Sequence, residues 1–224
     1  MSIHLQRQFD RLKKTILLLG TMVEESVERA IRAAEQRDPE LAEKVITDDQ
    51  RIDLMEIDVE EECLHTLALH QPVAFDLRFV VATLKINNDL ERIADLAVNV
   101  AEQAKFLSEE DAAAEAPFDL RGMGRIVRTM LKQSLDALVN VDPKLAEQVR
   151  QTDDQVDEIH RAMYERIETL IRENPHQIQQ MIHYLNISRQ LERMGDHCVN
   201  IAEDVLYMAR GDIARHSHTP PANV

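Results

Sequence analysis

The chain of 224 residues carries only five glycines, seven prolines, no tryptophan and 4% aromatic residues, which leaves little turn or strand chemistry and points to an all-α protein. Its formal net charge of −15 argues against nucleic acid as a partner, since phosphates are repelled and no basic patch intervenes, and suits cations or basic protein surfaces. The two cysteines, Cys63 and Cys198, fall at unrelated places and read as small buried residues of a reducing cytoplasm rather than a disulfide framework.

The first helix is expected over about residues 3–36. Leu5, Phe9, Leu12, Ile16, Leu19, Val23, Ser26 and Ala30 alternate steps of four and three, as along a bundle seam. The apolar run Ile16 to Val23 is too short for a signal sequence or a membrane span, so a soluble protein without direct membrane insertion is expected. Asp38-Pro39 restarts the chain with an N-cap aspartate and a proline at the first helical position, and the second helix runs to about Ala68. Its stripe is Leu41, Val45, Ile52, Met55 and Val59, with Asp49 and Asp53 roughly 75° to 115° from the stripe's centre, beside a neighbouring helix. A third helix follows His70-Gln71-Pro72 and ends near Leu107.

Ser108 to Gly124, acidic and alanine-rich and then holding a proline and two glycines, reads as a linker. After it the plan repeats. LKINNDLERIADLAVNVAE at 84–102 returns as LNISRQLERMGDHCVNIAE at 185–203, a shift of 101, and Asp142-Pro143 repeats Asp38-Pro39 at a shift of 104. Thr129, Met130 and Ser134 match Thr21, Met22 and Ser26 at a shift of 108, so the fourth helix, to about Val141, repeats the first. The sixth begins near Asn174-Pro175. The expected architecture is six long helices in two tandem pseudo-symmetric three-helix bundles: a first repeat over 1–107, the linker 108–124, a second repeat over 125–211 and a loose tail over 212–224.

The duplication retains particular acids. At a shift of 104 Asp153 and Asp157 match Asp49 and Asp53, and at 101 Glu192 and Asp196 match Glu91 and Asp95. Leu77, Val81, Leu84, Asn88, Glu91 and Asp95 keep steps of four and three, so the carboxylates read as continuing a packing seam, as they do through Ile178, Ile182, Leu185, Arg189, Glu192 and Asp196. A lone pair of acids one turn apart is ordinarily a solvated helix face; its recurrence on one line in both copies weighs against that.

If the second and third helices of each repeat are neighbours, Asp49, Asp53, Glu91 and Asp95 gather in one place, and Asp153, Asp157, Glu192 and Asp196 in another. Crowded carboxylates must take up protons, pair with bases, stay solvated or bind cations. Arg92 and Arg193 point about 100° away from the adjacent glutamates, which leaves metal as the more complete answer. An all-oxygen set suits Mg²⁺, Mn²⁺, Ca²⁺ or oxidised iron, with Zn²⁺ less favoured. His160 and His197 adjoin the second set but are not duplicated and read more simply as packing residues. Asn99, Glu102, Asn200 and Glu203 are secondary ligand candidates, set against ordinary helix-to-helix hydrogen bonding.

A carboxylate-cluster metalloenzyme is the rival reading. Its di-iron form uses two Glu-x-x-His motifs, and only Glu62 with His65 has that spacing, their counterparts being Arg166 and Thr169. There is no glycine-rich phosphate loop and no nucleophile with a base, so catalysis is not expected. A dimer is expected, Ile86, Ile93 and Val100 being apolar positions off the seam that either meet a second copy or face the third helix of the bundle.

The segments LERIADLAVNVAE and LERMGDHCVNIAE, with QPVAFDLRFV at Gln71 to Val80, resemble the PhoU family of bacterial phosphate-signalling regulators, over nearly the whole chain outside the tail. The resemblance implies two three-helix bundles with paired E/DxxxD motifs holding multinuclear metal clusters, here on the eight acids named above. It further implies a cytoplasmic negative regulator of the phosphate-starvation response, acting between a phosphate ABC transporter, through its ATPase subunit, and a membrane sensor histidine kinase. Two departures separate the repeats: Ala94 against Gly195, and Leu96 with Ala97 against His197 with Cys198. The second leaves metal identity and nuclearity open to differ between the sites.

Overall fold

The computed structural model describes residues 3–109 and 116–211, and its regular structure is helical throughout. The helices are α1 (Ile3–Gln36), α2 (Pro39–His70), α3 (Ala74–Glu109), α4 (Leu120–Asn140), α5 (Pro143–Glu173) and α6 (Ile178–Arg210), the last entered through a 3-10 turn at Pro175–Gln177. The expected linker over 108–124 is narrower. Ser108 and Glu109 still belong to α3, and Arg121 to Gly124 form the first turn of α4, because the Asp119 carboxylate accepts from the Gly122 N–H at 2.8 Å and caps the helix early. Residues 110–115 and the tail 212–224 lie outside the described residues.

Both repeats turn from their first to their second helix in the same way. Arg37 (φ 51°) and Val141 (φ 50°) take the left-handed conformation, and the next N–H reaches back five residues, Asp38 to the Ala33 carbonyl at 3.0 Å and Asp142 to the Ala137 carbonyl at 2.9 Å. The same two aspartates then cap α2 and α5 through Glu40 and Leu41, and through Lys144 and Leu145. One residue thereby closes one helix and opens the next.

At the centre α3 and α6 lie antiparallel: Arg78 reaches the Met208 carbonyl, Lys85 meets Asp204, and Gln103 meets Asn186 and His183. Around them α1 and α2 pack on α3, α4 and α5 pack on α6, and α1 crosses to α4. That crossing is close, since a β-carbon on Gly20 would stand 2.6 Å from Leu135 Cδ1. One hydrophobic cluster runs through both repeats, with Ile93 and Met194 fully buried where the pseudo-twofold relation exchanges α3 and α6.

Two expectations about α3 are corrected. The supposed seam is the rim of the core: Leu77 is 40% exposed, Asn88 is exposed, and Val81, Leu84, Glu91 and Asp95 are half-buried, with Ile178 and Ile182 equally exposed in α6. A helix packed on three others buries so broad an arc that a row of four-and-three spacing exists on its margin as well as at its centre. Conversely Ile86, Ile93 and Val100, read as surplus positions for a dimer, are fully buried within the chain and offer nothing to a second copy. No helix among the described residues is long and apolar enough to cross a membrane.

Candidate functional site

The pairing of α2 with α3 brings Asp49 and Asp53 alongside Glu91 and Asp95, at the edge of the core rather than within it. Desolvation raises the Asp49 carboxyl to about 6, and the charges of Asp53 and Asp95 raise it in the same direction. Glu91 is also raised, by desolvation and then by Asp95, with Glu56 and Asp53 adding to it and Arg92 opposing. Asp49 Oδ1 is buried without a hydrogen-bond donor, a condition native proteins ordinarily avoid unless an ion or water answers it; Glu91 Oε2 makes no hydrogen bond either but has the Arg92 guanidinium beside it.

The pairing of α5 with α6 repeats the arrangement. Asp153 is raised to about 7 by desolvation, then by Asp157, Asp196, Asp154 and Glu192. Glu192 and Asp196 are raised by desolvation and by their neighbours, Asp157 acting on both, while Arg193 opposes. A β-carbon on Gly195 would stand 2.9 Å from Asp153 Oδ1, so the missing side chain is the space the carboxylate occupies. At the matching place in the first repeat stands Ala94. Among the described residues no three or more His, Cys, Asp or Glu side chains are gathered closely enough to hold an ion as they stand. The two sets are facing walls, not closed cages.

The arginine expectation is corrected in one repeat. Arg92 folds back over its own set, with Nε 3.4 Å from Glu91 Oε2 and Nη1 3.3 Å from Asp95 Oδ2, because a long side chain reaches across the angle its Cα–Cβ bond subtends. The secondary candidates mostly turn elsewhere. Asn200 donates to Asp89 Oδ1 at 3.3 Å, Glu203 lies 3.7 Å from Arg150, and Glu102 lines a separate groove with Glu43 and Lys105. Asn99 is half-buried on α3.

Both histidines are engaged in packing contacts. His197 Nδ1 is 2.8 Å from Asp89 Oδ1, across the α3–α6 interface, and His160 Nδ1 is 2.7 Å from the Ser188 hydroxyl, with its pKa lowered by desolvation. Glu62 turns away from the acids toward α1, where Arg11 Nε lies at 2.8 Å and the Thr15 hydroxyl donates at 3.0 Å, so the lone Glu-x-x-His spacing serves no metal set. Cys63 and Cys198 are free, buried thiols; burial pushes Cys63 up to about 12 and Cys198 higher still, which keeps both protonated.

Glu56 and Asp154 belong to the acidic walls and escaped the sequence reading. Glu56 carried a usable signal, since it follows Asp53 by three residues and thus shares its helix face. Its counterpart at a shift of 104 is His160. Asn87 Nδ2 donates to Glu56 Oε1 at 2.9 Å, and Ser188, the counterpart of Asn87, pairs with His160. The position of this buried pair is duplicated although its chemistry is not.

The PhoU domain family matches residues 16–104 and 120–205, one match per repeat. A phosphate-specific transport system accessory protein PhoU homolog of Aquifex aeolicus is 35% identical over 213 residues, covering 95% of this chain and 96% of that protein. The homolog of Pseudomonas aeruginosa is 36% identical over 217 residues, covering 95% and 90%. The crystal structure of PhoU from Pseudomonas aeruginosa superposes with a TM-score of 0.89 over 92% of this chain and 99% of its own, at 36% identity. The phosphate transport system regulatory protein PhoU from Streptococcus pneumoniae gives 0.85 over 93% and 98%, at 30% identity.

Proposed function

This chain belongs to the PhoU family, and from that membership we propose that it is a regulatory adaptor of phosphate transport whose two carboxylate sets bind metal. The relatives are named accessory and regulatory proteins, not enzymes, and the adaptor carries no catalytic step. It acts on the cytoplasmic side as a negative regulator of the phosphate-starvation response, between the ATPase subunit of a phosphate ABC transporter and a membrane sensor histidine kinase.

The observation that supports metal most directly is the orphaned Asp49 Oδ1, buried on an acidic wall that faces Glu91 and Asp95. Burial and repulsion hold the carboxyls of Asp49 and Asp153 well above their ordinary range, so a cation drawn between the walls would relieve a repulsion that is already present. The residues fit such an ion by type. Asp49, Asp53, Glu91 and Asp95 would hold the first, and Asp153, Asp157, Glu192 and Asp196 the second, with iron, Mn²⁺, Mg²⁺ or Ca²⁺ ahead of Zn²⁺, and carboxylates able to bridge several ions. The bound metal would supply charge neutralisation and tie α2 to α3 and α5 to α6, fixing the surface that partners meet.

Two measurements decide the reading. Deletion of the gene should make a phosphate-starvation reporter constitutive in high phosphate, and an unchanged reporter would remove the adaptor. Elemental analysis should find less metal in a Glu91→Gln, Asp95→Asn double variant, with the second site still occupied. Equal metal in wild type and in a variant lacking all eight carboxylates would defeat the metal half alone.

A further inference from the structure

The two repeats differ on the outward faces of α2 and α5. On α2, Leu54, Ile57 and Leu64 point to solvent, 59%, 48% and 51% exposed. Their counterparts on α5 at a shift of 104 are Glu158, Arg161 and Glu168, all exposed, and Glu168 pairs with Arg172. The same helix in the same fold therefore works with charged residues at all three of these places. Nothing in the packing of the repeat requires leucine or isoleucine at these places, and each leaves apolar surface in water that a partner could cover.

Leu54, Ile57, Glu61, Leu64 and Ala68 keep steps of three and four, so the apolar side chains form one row along the helix, the row that a second helix laid alongside would cover. The rim of that row is acidic. Asp53, Asp58 and Glu60 flank it and Glu61 interrupts it, all four exposed and without an ion-pair partner among the described residues, whereas Asp48 and Glu62 are taken by Arg29 and Arg11 of α1. A second copy of the chain using the same face would set these carboxylates against themselves, since a twofold interface presents the same patch from both sides. A helix with lysines or arginines beside its apolar row would instead meet them with opposite charge.

We infer that the outward face of α2 is a docking surface for a basic amphipathic helix of a partner protein, seated on Leu54, Ile57 and Leu64 and held in register by the acids at their margins. The inference deepens the adaptor reading, on which its biological meaning rests, by naming the surface and the chemistry of the partner.

The test replaces the row by what α5 already carries: Leu54→Glu, Ile57→Arg and Leu64→Glu in the full chain. The second repeat shows that these residues suit such a helix, and circular dichroism should be unchanged. The net charge falls by one, so any binding that is purely electrostatic should strengthen. The probe is a synthetic helical peptide of about 18 residues, long enough to span the row, with leucines along one face and lysines elsewhere. Fluorescence anisotropy should give at least about tenfold weaker binding to the triple variant than to the wild type, and no binding of a scrambled peptide of equal composition or of one with glutamate for lysine. Equal binding to variant and wild type, or equal binding of the scrambled peptide, overturns the inference. So does a wild-type dimer by light scattering that the triple variant dissolves, because the face would then belong to a second copy. In cells, a deletion that leaves the reporter unchanged sinks the adaptor reading while the peptide result stands. A constitutive deletion fully repressed by the triple variant spares the adaptor and sinks the docking surface.

Discussion

The acidic sets of the two repeats are built from the same four positions and live in different surroundings. In the first, a buried Ala94 stands where the second has glycine, Asp49 is raised to about 6, and Arg92 lies over Glu91 and Asp95. In the second, Gly195 leaves a recess that Asp153 enters, the carboxyl is raised to about 7, and Arg193 opposes the shifts of Glu192 and Asp196 through its charge. The pair beneath differs likewise, glutamate and asparagine against histidine and serine. The duplication has kept the acids and varied what controls their charge, so a requirement for carboxylates in these places is separable from how readily each set gives up its protons.

The largest effects should come from the core that the repeats share. Leu90 and Leu191 are counterparts at a shift of 101 and both are fully buried. Leu90→Ala and Leu191→Ala should each cost about 2–5 kcal/mol, and either should lower one common unfolding transition, because the hydrophobic cluster is continuous across α3 and α6. Two separate calorimetric transitions, with each substitution moving only one, would make the repeats independent domains.

Next in size is the pH dependence of the chelated, metal-free protein. A carboxyl raised in the folded state binds its proton more tightly there than in the unfolded chain, so folding is penalised above the folded pKa and relieved as pH falls toward the unfolded value. For Asp153 that window runs from about 7 down to 3.8, and for Asp49 from about 6. Stability should therefore rise on acidification from pH 8 to pH 5. Asp153→Asn should raise Tm at pH 8 by a few degrees, on a scale of about 2–4 °C per kcal/mol for a chain of this size, and leave it unchanged near pH 4. Asp49→Asn should do the same more weakly. An Asp49 effect equal to or larger than that of Asp153 would dissolve the distinction drawn between the repeats. With metal bound the sign should reverse, since each substitution then removes a ligand.

The smallest effect isolates the recess. Gly195→Ala should gain about 1 kcal/mol of helix propensity and lose a similar amount by displacing the Asp153 carboxylate, leaving stability within about 1 kcal/mol of wild type. The displaced carboxyl should titrate lower, toward the value of Asp49, by carbon-detected NMR. An unmoved titration would mean that the recess does not set the Asp153 environment.

Much of this molecule was written locally. Asp38-Pro39 and Asp142-Pro143 start helices because a capping carboxylate and a proline act within one turn, and the shifts of 101, 104 and 108 revealed two repeats because equal local sequences form equal local structures. The recurrence of the eight acids was legible for the same reason, as was the half-buried boundary position of Asp49, whereas Asp53 is exposed. What the chain could not state by itself was which of several rows on a long helix faces inward. Leu77, Val81 and Leu84 keep the spacing of a seam yet lie on the rim, while Ile86, Ile93 and Val100 are the core, because burial depends on how many neighbours a helix acquires and from which directions. The pairing of Arg92 with its acids, the Asp153 recess at Gly195 and the buried partners of His160 and His197 are likewise contacts settled by neighbouring turns or by helices distant in sequence. Periodicity fixes the angle of a side chain around its own helix; only tertiary packing decides what stands at that angle.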